Sequence, residues 1–374
     1  MAQLAGMERI LSDKMNYLSD KLNYDIWLVT YEQGGHPYAF SLSEKIHHTD
    51  IDVLFYKKHG LNFIQKTCLY LQMRKTFKKR LYEIITKVNP DIIICTTYSY
   101  PLLDIIINSP GKGKYVLETH IAKNFFKKTS EVNEHSFLFR VAKLYDAYFF
   151  HYIKKFDYLV TLTQKDADDW KKTIPNSIVI PNCLTHYPEK PAKLENKTII
   201  STGRLHEQKG YDLLIKAWEI VHGKHQDWTL NIYGSGDDKE KLINEVNQRK
   251  LADCLRIYPS TPYIYTQYDE SSFLVMSSRY EGFGLVLIEA MACGLPCIAF
   301  DCPHGPSDII VHNQTGLLVE NGNIDKLSDA ICMLIENQKN RQEMGKAARG
   351  EVTRYLPNVI MEQWDNLFKS LNQQ

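Results

Sequence analysis

Long apolar runs and signal-peptide features are missing from the 374-residue chain. No run reaches the ~18 apolar residues that a membrane-spanning helix needs. The first ten residues lack the basic and apolar regions of a secretory signal. No two of the eight cysteines have C-x-x-C spacing, and no pair of closely spaced histidines follows the cluster Cys293, Cys297 and Cys302, so zinc is not indicated. We expect a cytoplasmic protein with reduced, buried thiols.

Net charge is also nearly absent. The chain has 45 Lys and Arg against 44 Asp and Glu, which argues against a nucleic-acid partner. The balance hides an asymmetry, because residues 1–187 hold 25 basic and 19 acidic residues whereas the remainder holds 20 and 25. Halves of opposite sign predict different partners for each half.

Short apolar runs rich in β-branched residues predict β-strands separated by helix-length segments. This alternation is typical of doubly wound α/β folds with parallel sheets, and the strands are too numerous for one ordinary sheet. Three prolines between Pro181 and Pro191 mark a domain boundary. The predicted strands are Asp25–Thr30, Asp91–Thr96, Lys114–Glu118, Tyr158–Leu162, Ser177–Ile180, Thr198–Thr202, Thr229–Tyr233, Leu255–Tyr258, Phe273–Met276, Pro296–Phe300 and Gly316–Val319.

The segment 57–87 is strongly basic. It carries nine Lys and Arg and one acid, Glu83, and its apolar residues recur at helical spacing. Two interpretations are open. The segment either rests on an anionic membrane or forms a helix that packs on the sheet and exposes a basic face.

Three motifs in the second half follow predicted strands. In TIISTGRLHEQKG, a strand ends at Gly203, and Arg204 and Lys209 then flank the loop before a helix. Arg and Lys together suit a diphosphate, although basic residues after a strand are as often solvated. In TLNIYGSG, Gly234 and Gly236 either bring backbone amides to a nucleotide or make a tight turn.

The third motif is SSRYEGFGLVLIEAMACG. Its helix begins after Gly284, so the first free N–H groups, including that of Leu285, would face an anion. Glu281 before the helix and Glu289 within it are acceptors that suit sugar and ribose hydroxyls. The alternative is ordinary acids near the helix N-terminus.

In this order and spacing, these motifs resemble the retaining family 4 glycosyltransferases of GT-B fold. The resemblance runs from about Ile199 to Leu356 and includes SRYEGFGLVLIEAMACGLPCIAFDCPHGPSDII. The first half matches through its strand order, VLETHIAKNF and VIPNCL. The resemblance implies two Rossmann-like domains facing across a cleft, an acceptor-binding domain at 1–183 and a nucleotide-sugar domain at 184–356. It also implies that the helix at 357–374 crosses back to the first domain, anchored by Trp364 and Phe368; the alternative is packing on its own domain.

The resemblance also implies roles for individual residues. Arg204 and Lys209 would hold the donor diphosphate as it leaves, Glu281 would contact the transferred sugar, and Glu289 would bind the ribose. His120 would face the donor sugar as an active-site histidine. The remaining implied donor contacts are Gly203, Gly234, Phe283, Gly284 and Leu285, with Gly305, Pro306 and Ser307 in a loop beside the sugar. No metal or other cofactor is implied.

The resulting hypothesis is a retaining glycosyltransferase. It would move a hexose or N-acetylhexosamine from a nucleotide-diphosphate sugar, expected to be UDP-linked, to a saccharide or lipid-linked acceptor in surface polysaccharide or glycan biosynthesis. It would work in the cytoplasm or on the inner face of the plasma membrane. Two alternatives stay open, a GT-B nucleotide-sugar epimerase or hydrolase and an inactive nucleotide-binding remnant.

The remnant alternative comes from the start of the chain. Family members open with a β-strand and a glycine-rich loop, whereas this chain begins MAQLAGMERILSDKMNYL. Gly6–Arg9 resembles the end of that loop, and no strand precedes it. We expect exposed strand edges and reduced stability in the first domain.

Overall fold

The computed structural model describes residues 6–58, 60, 62–123, 127, 129 and 132–373. Met1–Ala5, and Asn124 and Phe125 of the VLETHIAKNF motif, lie outside the described residues. The chain forms two compact units. The first comprises Met1–Thr161, Asp166–Ile180 and Pro357–Gln374, and the second comprises Leu162–Lys165 and Pro181–Leu356.

Helices and strands alternate along the described chain. The strands are β1 (Trp27–Thr30), β2 (His47–Asp50), β3 (Ile92–Thr96), β4 (Lys114–Glu118), β5 (Tyr158–Thr161), β6 (Ser177–Val179), β7 (Thr198–Thr202), β8 (Thr229–Tyr233), β9 (Leu255–Tyr258), β10 (Phe273–Met276), β11 (Cys297–Phe300) and β12 (Gly316–Val319). The helices are α1 (Gly6–Leu22), α2 (Phe63–Val88), α3 (Leu103–Ile106), α4 (Phe137–Ile153), α5 (Gln164–Lys171), α6 (Tyr211–Lys224), α7 (Lys239–Gln248), α8 (Ile264–Asp269), α9 (Leu285–Ala292), α10 (Pro306–Ile309), α11 (Ile324–Glu336), α12 (Gln338–Glu351) and α13 (Pro357–Asn372).

The second unit has one parallel sheet of six strands, in the order β12-β11-β10-β7-β8-β9. All four residues of both β10 and β11 are buried, as expected for strands that helices cover on both faces. Side chains of α6 and α11, including Trp218 and Ile331, belong to the core that also holds Ile199 and Phe273 of the sheet. The prediction of a doubly wound α/β fold is confirmed here.

The first unit divides its strands between two parallel sheets, the pair β1-β2 and the four-stranded sheet β3-β4-β5-β6. One core includes residues next to the pair, such as Ile51, as well as Leu117 of β4 and Phe77 of α2. Strand β2 was not predicted, because its sequence HHTD has neither apolar nor β-branched continuity. The first described element is α1, so a helix precedes β1 in the part of the chain that the structure describes.

The C-terminal helix α13 is part of the first unit. Trp364 and Phe368 are buried, and the Phe368 ring meets Tyr24 edge-on with centroids 5.3 Å apart. The Tyr24 hydroxyl donates a hydrogen bond to Asp365 at 2.7 Å, which raises the pKa of Tyr24 to about 12 together with the larger effect of burial. The two residues named from the sequence as anchors therefore hold this helix within the first unit.

The basic segment forms most of α2, and the structure bears out its packing on the first unit; contact with a membrane stays a prediction. Phe77, Leu81 and Ile85 are buried in the first unit's core, whereas Ile64 and Leu71 are exposed. The helix therefore packs on the sheet and also presents apolar side chains outward. Among the described residues, no helix is both long and apolar enough to cross a membrane.

Candidate active site

The predicted motifs of the second unit meet at the topological switch point of its sheet. Strands β7 and β10 are neighbours, but the chain leaves β7 toward β8 and β9 on one side and returns to β10 on the other. The loops that follow such strands diverge and leave a crevice at the carboxyl ends, which is where ligands bind in open α/β sheets. Here the two loops are residues 203–210 after β7 and 277–284 after β10.

Hydrogen bonds join these two loops directly. The Ser277 hydroxyl donates to the Lys209 carbonyl at 2.9 Å, and the backbone N–H of Arg279 donates to the Gln208 carbonyl at 2.8 Å. Gly210 makes the approach feasible, because its φ is 63° and an added Cβ would lie 2.1 Å from the Ser277 carbonyl oxygen. The position of the Lys209 side chain thus depends on a glycine that no larger residue could replace without moving the loop.

The central feature of the site is an ion pair between the two loops. Lys209 Nζ lies 2.6 Å from Glu281 Oε1, and the Ser278 hydroxyl donates to the same oxygen at 2.6 Å. The Glu281 side chain is buried and that of Lys209 is mostly buried, so the pair sits at the edge of the sheet rather than in open solvent. Arg204 lies on the same loop as Lys209 and is exposed. The two residues expected to serve diphosphate and sugar are therefore in contact.

A second ion pair, absent from the sequence-based prediction, stabilises the loop after β7. Arg279 makes a two-pronged contact with Asp212, at 2.9 and 2.7 Å, and also donates to the Glu207 carbonyl at 2.7 Å. Burial alone would raise the pKa of Asp212, but the hydrogen bonds and charge of Arg279 outweigh it and lower that pKa. Arg279 lies inside the SSRYEGFG motif, but Asp212 has no sequence signal that links it to Arg279.

Glu289 is held one to two turns into α9. Its Oε2 accepts a hydrogen bond from the Tyr268 hydroxyl at 3.3 Å, and that hydroxyl lies 3.3 Å from Thr202 Oγ1 at the end of β7. Tyr268 is fully buried, and burial together with the Glu289 charge raises its pKa well above the usual value. The tyrosine therefore stays neutral and orients a carboxylate near the carboxyl end of the central strand.

The glycines after β7 and β8 allow close packing of the two turns, and their backbone N–H groups are already hydrogen-bonded within the protein. The Gly203 N–H donates to the Tyr233 carbonyl at 3.0 Å, and the Gly234 N–H donates to the Tyr258 carbonyl at 2.9 Å. Both amides are thus already used within the sheet. A Cβ on Gly234 would lie 2.1 Å from the Gly203 carbonyl, so this residue allows the two turns to touch.

The start of α9 and the loop after β11 lie against each other. Phe283 is buried with its ring edge-on to Tyr355, so only its backbone is left for a ligand, while Gly284 caps α9 and Leu285 begins it. Gly305, which precedes Pro306 at the start of α10, approaches so closely that an added Cβ would lie 2.2 Å from the Phe283 carbonyl.

The described part of this loop also holds a buried polar atom without a partner. The Ser307 hydroxyl is buried and has no hydrogen-bond partner among the described residues. A buried hydroxyl of this kind is costly unless something outside the protein bonds to it. The role predicted for Ser307, a place beside the donor sugar, therefore stays a prediction.

His120 belongs to the first unit, just after β4, and its side chain is buried. Its Nε2 lies 3.4 Å from Glu118 Oε1, and Glu118 also forms a buried salt bridge with Lys14 of α1. Burial alone would raise the pKa of Glu118, but Lys14 and His120 reverse that and lower it to about 2. The Lys14 ammonium is further covered by the Trp364 ring of α13, with 4.2 Å to its centroid.

Comparison with known proteins decides the family. The sequence profile described as Glycosyl transferases group 1 matches residues 185–351. An uncharacterized glycosyltransferase of Haemophilus influenzae is 30% identical over 365 residues, which is 97% of this chain and 96% of that protein. The chain belongs to the group 1 glycosyl transferases. This confirms the resemblance and the prediction of an enzyme.

A second relative of this glycosyltransferase is the Staphylococcus aureus poly(ribitol-phosphate) alpha-N-acetylglucosaminyltransferase. It is 35% identical over 201 residues, which cover 53% of this chain. The match spans only 39% of the staphylococcal protein.

Solved structures agree with the fold. Sucrose-phosphate synthase from Thermosynechococcus elongatus superposes with a TM-score of 0.79 at 17% identity, covering 99% of this glycosyltransferase and 94% of that chain. A point mutant of S. aureus TarM, solved in complex with fondaparinux, alpha-GlcNAc-glycerol and UDP, gives a TM-score of 0.64 at 27% identity over 78% of this chain and 58% of that one. The expectation of two Rossmann-like units is confirmed.

Proposed function

We propose that this glycosyltransferase transfers a hexose or N-acetylhexosamine from a UDP-sugar, and that the second unit binds the donor. The Lys209–Glu281 ion pair at the switch point of the sheet is the observation that carries the proposal. The UDP in the TarM complex, at 27% identity, supports the choice of nucleotide.

Each donor group has a proposed partner with matching chemistry. Lys209 and Arg204 neutralise the diphosphate, Glu289 accepts the ribose hydroxyls, and Glu281 accepts a hydroxyl of the transferred sugar. The N-terminus of α9 adds backbone N–H groups, including that of Leu285, for phosphate oxygens. Because fixed cations neutralise the leaving group, the proposed reaction requires no metal ion.

We propose that the anomeric configuration is retained. The bond from the anomeric carbon to the diphosphate oxygen breaks, the acceptor hydroxyl forms its new bond on the same face, and its proton passes to the departing phosphate oxygen. Charge develops on the diphosphate and on an oxocarbenium-like sugar, so preorganised cations and carboxylates stabilise the transition state more than the ground state. His120 is proposed to contact the donor sugar, with Glu118 holding its ring.

The acceptor is proposed to be a saccharide or lipid-linked glycan of surface polysaccharide biosynthesis, modified at the cytoplasmic face of the membrane. The S. aureus relative is a poly(ribitol-phosphate) alpha-N-acetylglucosaminyltransferase, and this activity on a polymer supports a polymeric acceptor. The excess of basic residues in the first half fits an anionic one.

Titration with UDP tests the donor site. We expect a saturable rise in melting temperature, because a ligand that binds only the folded protein stabilises it. Lys209→Met should remove most of this rise. Lys326→Met, which removes the exposed partner of Glu320 in the same unit, is the matched control and should leave it unchanged. Absence of saturable UDP binding to the unmodified protein would contradict the proposal.

Product analysis tests the reaction class. Incubation with UDP-GlcNAc or UDP-glucose and a polyol-phosphate acceptor should give a glycoside whose anomeric configuration matches the donor. The epimerase or hydrolase alternative predicts conversion of the donor without any acceptor, and the remnant alternative predicts binding without turnover.

A further inference from the structure

Helix α4 of the first unit has two apolar sides. One side, with Ala142, Phe149 and Ile153, is buried in the unit. The other is a stripe at helical spacing that remains exposed, and we call it the α4 stripe. It consists of Phe137, Leu138, Val141, Leu144, Tyr145 and Tyr148.

The exposure of the α4 stripe is unusual for a folded surface. The exposed fractions of Phe137, Leu138 and Leu144 are 76%, 64% and 74%. Single exposed apolar residues are ordinary, but a contiguous row of six large ones on one helix marks an interaction surface. The stripe is therefore available to a partner without any rearrangement of the core side of α4.

The charges around the α4 stripe select the kind of partner. Arg140 lies on the flank of the helix beside the stripe, and Lys154 and Lys155 follow its end; all three are exposed. Asp146, the acid within α4, is instead buried on the core side and accepts a hydrogen bond from the Thr129 hydroxyl at 2.8 Å. Among the described residues 132–155, the one exposed acidic residue is Glu134, which lies three residues before the helix. Asp104 of α3 also faces Tyr148 of the stripe, but it is paired with Arg74, so the described charges around the stripe are net positive.

We propose that α4 docks the first unit on an anionic lipid bilayer. The helix would lie in the plane of the interface, with the α4 stripe among the acyl chains and the flanking Arg and Lys at the lipid phosphates. Tyr145 and Tyr148 add aromatic rings to the stripe, and tyrosine is enriched at membrane interfaces. A second copy of the chain fits less well, because two such faces would bring like charges together.

This proposal differs from the membrane interpretation of segment 57–87. Among the side chains that the structure describes in that segment, Ile64 and Leu71 are the exposed large apolar ones, whereas α4 exposes six. Arg74 of α2 is paired with Asp104 of α3 and is not available to lipid. The inference does not depend on the proposed donor chemistry, so failure of either leaves the other intact.

Vesicle sedimentation tests the docking surface. The full chain should bind vesicles of equal parts phosphatidylglycerol and phosphatidylcholine, bind pure phosphatidylcholine much less, and be released by high salt. Leu144→Glu places a charge in the middle of the stripe and should lower the bound fraction on the order of tenfold. Met333→Glu makes the same change at an exposed residue of the second unit and should have no effect.

A second variant reports insertion directly. Tyr148→Trp should show a blue shift of its fluorescence on anionic vesicles, and the shift should disappear when Leu144→Glu is added. Circular dichroism checks that each variant is folded, as expected for exposed positions.

Three results would overturn the proposal. The first is no preference for anionic over neutral vesicles. The second is loss of binding in the α2 variant Leu71→Glu but not in Leu144→Glu, which would assign the surface to α2. The third is a dimer in light scattering that Leu144→Glu dissociates, without vesicle binding, which would assign the stripe to a second copy.

Discussion

The two units use parallel strands and covering helices in different ways. In the second unit six strands form one sheet, and its loops meet at a switch point where Lys209 contacts Glu281. In the first unit the described strands form a pair and a sheet of four, β1 is half-buried throughout, and Ile94 of the edge strand β3 is 36% exposed. The continuous sheet thus carries an ion pair that a ligand can reach, whereas the Lys14–Glu118 pair of the first unit is buried.

Their ion pairs show the same contrast. Lys14 and Glu118 are both buried, and Trp364 covers the lysine, so the pair belongs to the interior of the first unit. Lys209 keeps a fifth of its side chain exposed, where a ligand can reach it. A buried pair costs stability when one partner is removed, whereas a pair at a site costs function. Substitutions at the two pairs should therefore have different effects.

The largest expected effect is on the buried pair. Glu118→Gln leaves the Lys14 charge buried without its counterion and should reduce the free energy of unfolding of the first unit by about 3–5 kcal/mol. Hydrogen exchange of α1 and β4 amides measures this unit by itself. The double variant Lys14→Met/Glu118→Gln should recover most of the loss, and equal instability of the single and double variants would contradict this account.

Substitutions in the Lys209–Glu281 pair should mainly reduce turnover rather than stability. Lys209→Met and Glu281→Gln should each lower turnover by about 10²–10³-fold, because each removes a charge placed for the transition state. Melting temperature should change less than for the Lys14–Glu118 pair, since Lys209 keeps a fifth of its side chain exposed and Ser278 still donates a hydrogen bond to Glu281. If either variant unfolds the second unit, or if Lys326→Met lowers turnover equally, the ion pair is not specific to catalysis.

Lowering the pH should reduce the stability of the first unit, because Glu118 becomes protonated. The pKa of this group is about 2 in the folded protein against 4.5 ordinarily, so its stabilising contribution is present above about pH 4.5 and is lost as the pH falls toward 2. The double variant Lys14→Met/Glu118→Gln lacks this contribution. Urea unfolding at several pH values should therefore show that the free energy of unfolding falls more steeply between pH 5 and 2 in the unmodified protein than in the double variant. The same dependence on pH in both proteins would contradict the role given to Glu118.

The smallest expected effect is that of metal removal. Turnover should be unchanged by EDTA, since Lys209 and Arg204 are proposed to neutralise the diphosphate. Addition of Mg²⁺ to the chelated enzyme is the control. A loss of turnover with EDTA that Mg²⁺ reverses would show that these side chains do not neutralise the diphosphate by themselves.

The sequence was most informative where strands are buried on both faces and motifs follow them directly. Strands such as β7 and β10 were predicted because β-branched or apolar residues make up most of each run, but the polar sequence of β2 gives no such signal. The motif residues Lys209 and Glu281 could be named, yet the Asp212–Arg279 pair depends on packing between separate loops. The second apolar side of α4 was missed because spacing alone cannot tell which of two apolar faces is buried.

The path of the chain has a practical consequence for anyone who wants to divide or recombine this protein. Because residues 162–165 and 181–356 belong to the second unit and 357–372 return to the first, the backbone changes unit four times. A fragment that stops at Leu356 would strip Trp364 from Lys14 and leave the amino-terminal portion with an uncovered cation. Chimeras that exchange donor specificity should therefore keep the carboxyl-terminal helix with its original amino-terminal partner.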